Sequence, residues 1–222
     1  MDYIKQLLDF ILHLDGYLFT LIQDYGIWIY AILFLIIFVE TGLVVMPLLP
    51  GDSLLFAAGT FCAGVVKEGE TAQLNLWLVL GLLTIAAVLG DGLNYYLGKT
   101  IGLKVLTWKI KGRQIVKQSY IDKTHEFYEK HGSKTIIIAR FVPIVRTFAP
   151  FVAGIGQMEY SKFIRFNLIG GIAWVLGLTL LGFFFGKLEF VQKNFELVIF
   201  GIIGLSLLPM IFEIIRQKFK KK

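Results

Sequence analysis

The chain has 222 residues, 56% of them hydrophobic and 17% charged, with a mean hydropathy of +0.72. That balance excludes a soluble globular domain and points to a polytopic, all-α membrane protein. The formal charge of +6 does not indicate nucleic acid, because the lysines flank hydrophobic runs without any nucleic-acid motif.

Residues 1–24 contain Asp2, Asp9, Asp15 and Asp24 and a single lysine, unlike the basic start of a secretory signal. Ile4, Leu7, Leu8, Ile11, Leu12, Leu18, Phe19 and Ile22 recur at helical spacing. They predict an amphipathic helix, either lying in the membrane interface or packed as an ordinary helix. A spanning helix needs about 20 apolar residues, and four segments are read as spans: 25–46, 75–98, 166–186 and 194–215.

Positive charge orients them. The connector 99–134 holds nine Lys or Arg against three acids, and the tail 216–222 holds five basic residues in seven. Connector, tail and both termini are therefore expected on the cytoplasmic side. Within the connector, Ser119 and Asp122 resemble a helix start. Tyr120, Thr124, Phe127, Tyr128 and His131 then line one face, read as resting on the membrane surface.

Two apolar runs are not simple spans. Run 43–66 is broken by Pro47, Pro50 and Gly51, and run 135–158 by Pro143 and Pro150. Proline disrupts a helix interior, and both prolines of the second run are expected to interrupt it. Reading each run as a re-entrant hairpin, entering and leaving on one side, preserves the charge rule. Ala58-Gly59 and Ala153-Gly154 close the two runs, and the following spans end alike, at Tyr95–Lys99 and Phe183–Lys187. This is read as an inverted repeat of the transporter kind.

Five ionisable residues fall at membrane depth: Glu40, Asp52, Asp91, Arg140 and Arg146. An arginine there costs roughly 2.5–3.5 kcal/mol on insertion scales, so such residues mark functional sites by default. They are expected to pair, to contact water or to change protonation. Three acids against two bases leave one negative charge, which a proton on Glu40 or Asp52 would neutralise. Salt bridges that merely fix hairpin to hairpin are the plain alternative, although small residues hold membrane helices at lower cost. Arginine's planar fork suits phosphate, and breaks at Pro50-Gly51-Asp52 and Pro143 expose helix ends.

Other motifs fail. His125-Glu126 and His131 lack zinc-protease spacing, and neither Ser53 nor Thr147 has a nearby histidine as base. No metal, cofactor or enzymatic activity is expected. Cys62 is read as packing.

Glu40, Pro50-Gly51-Asp52, Gly90-Asp91 with Tyr95, Gly98 and Gly102, and Ala139–Pro143 through Arg146-Thr147 to Pro150 and Ala153-Gly154 resemble the DedA family of bacterial inner-membrane proteins. The resemblance covers about residues 25–190, between an N-terminal helix at 1–24 and a C-terminal span and basic tail at 191–222. It implies two opposed re-entrant hairpins and movement of lipid phosphates, notably undecaprenyl phosphate, across the bacterial cytoplasmic membrane with dependence on the proton gradient. Its membrane acids map onto Glu40 and Asp52 and its arginines onto Arg140 and Arg146, with Asp91, Pro50, Gly51, Pro143 and Thr147 in support. The expected partners are the lipid phosphate, protons and membrane lipids, with no nucleic acid and with homo-oligomer formation open. Competing readings are a proton-coupled transporter of small cations or drugs, a phospholipid-modifying enzyme, and a structural protein of the envelope.

Overall fold

The computed structural model describes residues 14–43, 51–67, 69–107, 109–110, 113–114 and 118–193, with 197–198 and 201. Most of them are helical. In chain order the elements are α1 (Leu14–Tyr25), α2 (Trp28–Gly42), α3 (Gly51–Ala63), β1 (Val65–Lys67), β2 (Glu70–Ala72), α4 (Leu76–Thr107), β3 (Lys109–Ile110), β4 (Arg113–Gln114), α5 (Gln118–His131), α6 (Thr135–Ala139), α7 (Pro143–Ile155), α8 (Tyr160–Phe185) and α9 (Glu189–Lys193). A 3-10 turn, Gly132–Lys134, joins α5 to α6.

Among the described residues, two helices are long and apolar enough to cross a bilayer, Leu76–Gly102 within α4 and Tyr160–Phe185. At 1.5 Å per residue each exceeds the roughly 30 Å hydrocarbon core. Helix α2 is shorter than the expected 25–46 span, because Gly26 at φ +50° turns the chain between α1 and α2. Its 15 residues fall below the usual spanning length. The expected span 194–215 and the first half of the N-terminal helix lie almost wholly outside the described residues, as does the break at Pro47 and Pro50. The short loop after the first broken run is a β-hairpin, β1 pairing antiparallel with β2, and Gly69 at φ +85° supplies its turn.

The described residues divide into two compact units. One contains those up to Leu35, from Gly51 to Leu83 and from Val175 onward; the other contains Ile36–Leu43 and the described residues from Thr84 to Trp174.

In the first unit α3 is buried along nearly its whole length, against the C-terminal half of α8. A Cβ on Gly59 would collide with the Thr179 carbonyl and crowd the Phe183 amide, and one on Gly182 would collide with the Phe56 carbonyl. The backbones therefore touch, which small residues make possible between membrane helices. Thr60 Oγ1 donates across the contact to the Gly182 carbonyl at 3.3 Å.

In the second unit α7 crosses α4 in the same way. A Cβ on Gly154 would collide with the Tyr95 carbonyl and crowd the Lys99 amide, and one on Gly98 would strike the Phe151 carbonyl. Phe56, Gly59, Thr179, Gly182 and Phe183 thus correspond to Phe151, Gly154, Tyr95, Gly98 and Lys99. This shifts the register of the sequence-based repeat and adds a pairing it did not state. Gly98 answers to Gly182 and not to Gly186, a difference of one helical turn. Each broken run also packs on the span that follows the other run. Linear comparison of span endings misses this because the contacting glycines, not the aromatic-Gly-Lys endings, set the register.

Helix α6 ends at Ala139, and Val142 is extended at φ −119°, ψ 105° with Pro143 in the first turn of α7. A residue before proline is driven toward this conformation, so the break is encoded locally. Pro150, expected to interrupt the run too, lies inside α7 and is buried. Its missing N–H leaves the Arg146 carbonyl without the usual bond from i+4. Helix α5 lays Ile121 and Tyr128 against Phe148, Phe151 and Val152 of α7, and Tyr128 Oη donates to the Ala149 carbonyl at 2.9 Å. Of the face read as resting on the membrane, Thr124 is buried and Phe127 and Tyr128 pack on protein.

Candidate functional site

All of the site described here belongs to the second unit. The end of α2 supplies Glu40 and Thr41, the middle of α4 Asp91 and Asn94, the α6–α7 break Arg140, Arg146 and Thr147, and α8 Asn167 and Trp174. Gly90 lets α2 approach α4, since a Cβ there would run into Thr41 Oγ1 and crowd the Phe38 carbonyl. Asn94 Nδ2 then donates to the Thr41 carbonyl at 3.2 Å and to the Thr147 carbonyl at 2.9 Å. One carboxamide ties three helices together.

Each arginine has a carboxylate. Arg140 Nη2 lies 2.6 Å from Asp91 Oδ2 and donates to Asn167 Oδ1 at 2.5 Å. Arg146 Nη2 donates to Glu40 Oε1. The side chains of Arg140, Asp91 and Glu40 are 5%, 8% and 3% exposed, whereas Arg146 is 20% exposed. The first pair is thus the closed one and the second the more accessible. Both guanidiniums lie over the Trp174 ring, Arg140 Cζ at 5.8 Å and Arg146 Cζ at 5.2 Å from its centre, within range of a cation–π attraction.

Glu40, Thr41, Asp91, Arg140, Arg146, Thr147 and Trp174 line one cavity of about 20 Å³, room for about one water molecule. Among the described residues, the buried polar atoms of this unit without a hydrogen-bond partner include Arg140 Nε and Asn94 Oδ1.

The structure therefore brings together four of the five ionisable residues read at membrane depth, with Thr147. Asp91, whose role the sequence left undefined, is the partner of Arg140. Asp52 stands in the first turn of α3, after buried Gly51, and belongs to the first unit. Pro50 lies outside the described residues, and Pro143 opens α7. Asn94, Asn167 and Trp174 were missed. A scan for ionisable groups passes over uncharged amides inside apolar spans, and a tryptophan in such a span suggests only a span or interface anchor. Among the described residues, no three His, Cys, Asp or Glu side chains gather as a metal ion requires.

Long apolar helices with arginine–carboxylate pairs at a helix break are those of a helical membrane protein with a polar centre among its helices. Residues 49–184 match the VTT domain, and the chain belongs to the DedA family of membrane proteins. It is 55% identical over 218 residues to protein DedA of Escherichia coli K12, covering 98% of this chain and 96% of that protein. An uncharacterised membrane protein of Mycobacterium tuberculosis H37Rv is 42% identical over 175 residues, 79% of this chain and 74% of its own. The E. coli K12 inner membrane protein YqjA is 33% identical over 187 residues, with coverages of 83% and 80%. No solved structure matches the chain.

Proposed function

We propose that the protein translocates a lipid phosphate, of the undecaprenyl phosphate kind, across the bacterial cytoplasmic membrane, coupled to protons and without chemical change to the lipid. The observation that carries this reading is the pair of guanidiniums sharing one cavity beside Trp174. Two neighbouring planar forks suit the several oxygens of a phosphate monoester, and arginine stays charged in a poor solvent.

Electrostatics adds proton coupling. Glu40 and Asp91 balance Arg140 and Arg146, so the cavity lining is formally neutral. An incoming phosphate must displace a carboxylate from its arginine or arrive with a proton for one. Arg146 is the more exposed guanidinium, and Arg140 has a second acceptor in Asn167. Glu40 is therefore the carboxylate that yields and takes up the proton. A phosphate group exceeds the space of one water molecule, so entry requires that pair to part. In this reading the two broken runs are re-entrant, both termini are cytoplasmic, and the polyprenyl tail stays in lipid. Asp52, in the other unit, supplies a further protonation site.

Proteoliposomes carrying a fluorescent polyprenyl phosphate test the proposal. Arg140→Lys and Arg146→Lys are expected to lower flipping at least tenfold while the purified variants keep a monodisperse elution profile. Flipping at wild-type rates in both would overturn it.

A further inference from the structure

Arg140 is received by a single face of α8. Asn167, Gly170, Gly171 and Trp174 follow at i, i+3, i+4 and i+7, so they form one stripe on the helix. Asn167 Nδ2 donates to the Val88 carbonyl at 3.0 Å, which turns Oδ1 toward Arg140 Nη2. The glycines leave the floor on which the side chain lies. A Cβ on Gly170 would stand 3.2 Å from Arg140 Cδ and 3.3 Å from Nε, and one on Gly171 would stand 3.5 Å from Nη2. Trp174 closes the far end of the stripe, 5.8 Å from Arg140 Cζ.

We propose that this Asn167-Gly170-Gly171-Trp174 stripe is an arginine cradle, a set of positioning residues that holds Arg140 in place while adding no negative charge to it. The proposal rests on the phosphate reading for its functional meaning. Its physical content is separate. Nη2 takes two acceptors, and only one of them, Asp91, is an anion. A second carboxylate at position 167 would make the hydrogen bond equally well but would offset the charge that attracts the headgroup. Asn167 is neutral, and its amide orientation is set by the Val88 carbonyl rather than by the ligand. The charged groups around Arg140 are Asp91 of α4, Glu40 of α2 and Arg146 of α7, so the cradle is the neutral side of an otherwise charged pocket.

Two measurements on the purified full chain in detergent test this. The first is thermal unfolding of Asn167→Ala, Arg140→Met and the double variant. The loss of Tm from Asn167→Ala is expected to fall by more than half once Arg140 is gone, leaving the share due to Val88. An equal loss in both backgrounds would show that Asn167 does not act through Arg140 and would overturn the cradle.

The second is binding of farnesyl phosphate, with farnesol as the neutral comparison. Asn167→Asp is expected to weaken farnesyl phosphate binding at least tenfold and to be worse than Asn167→Ala, with farnesol binding the same in all three proteins. Both variants lose the donor to the Val88 carbonyl and only Asp adds a charge, so binding by Asn167→Asp equal to or tighter than by Asn167→Ala would also overturn the proposal. Failure of the wild type to distinguish farnesyl phosphate from farnesol would sink the phosphate reading, and the unfolding cycle would still judge the cradle.

Discussion

In one unit Gly59 of α3 lies against Thr179 and Phe183 of α8; in the other Gly154 of α7 lies against Tyr95 and Lys99 of α4. The contact is the same, residue for residue, but the chemistry two turns earlier is not. Asp52 precedes Gly59 by the interval at which Thr147 precedes Gly154, and Gly51 stands where the other unit has Arg146. One packing device thus serves a unit with an acid at the start of its broken helix and a unit with an arginine there. The glycine contact sets how closely the helices pack. The residues at the break decide what the unit can bind.

The largest expected effect breaks this contrast at its polar side. Arg140→Met leaves Asp91 buried without its cation, and breaking such a pair typically costs about 3–5 kcal/mol. Thermal unfolding in detergent should show that loss, and Asp91→Leu on the same chain should recover much of it. Asp91→Leu that destabilises further would mean the two residues are not a pair.

Next come the crossings. Gly59→Ala and Gly154→Ala each push a methyl group into a neighbouring backbone, for which overpacking costs of about 1–3 kcal/mol are usual. Similar losses of Tm are expected in the two variants. A loss confined to one of them would break the correspondence between the units. Tyr128→Phe, which removes only the hydrogen bond to the Ala149 carbonyl, should cost about 1 kcal/mol. It sharpens the comparison because it concerns α5, which packs on α7 in the second unit.

Much of the site could be read from the residues themselves. Charges in an apolar run are conspicuous, and Arg140, Arg146, Glu40 and Asp91 stand out because burying them demands partners. Pro143 marked the α6–α7 break, since the constraint on Val142 is local. Pro150 misled, because tertiary packing holds α7 continuous around it and local propensity cannot register that. The pairing of each broken run with the distant span was hidden for a similar reason. Glycine contacts are made between segments far apart in sequence, and nothing in a linear repeat states which copy meets which. Asn94 and Asn167 were silent because an amide in a span carries no charge to flag it; their roles come from carbonyls that only the fold brings near.

The central claim is that a formally neutral cavity accepts a phosphate by taking a proton at Glu40. Calorimetric titration of the purified protein with farnesyl phosphate, repeated in buffers of different ionisation enthalpy, tests it most directly. The wild type should take up close to one proton per phosphate bound. Glu40→Gln, whose cavity already carries one net positive charge, should bind several-fold tighter and take up none. Binding by the wild type without proton uptake, or the same uptake in Glu40→Gln, would contradict the account.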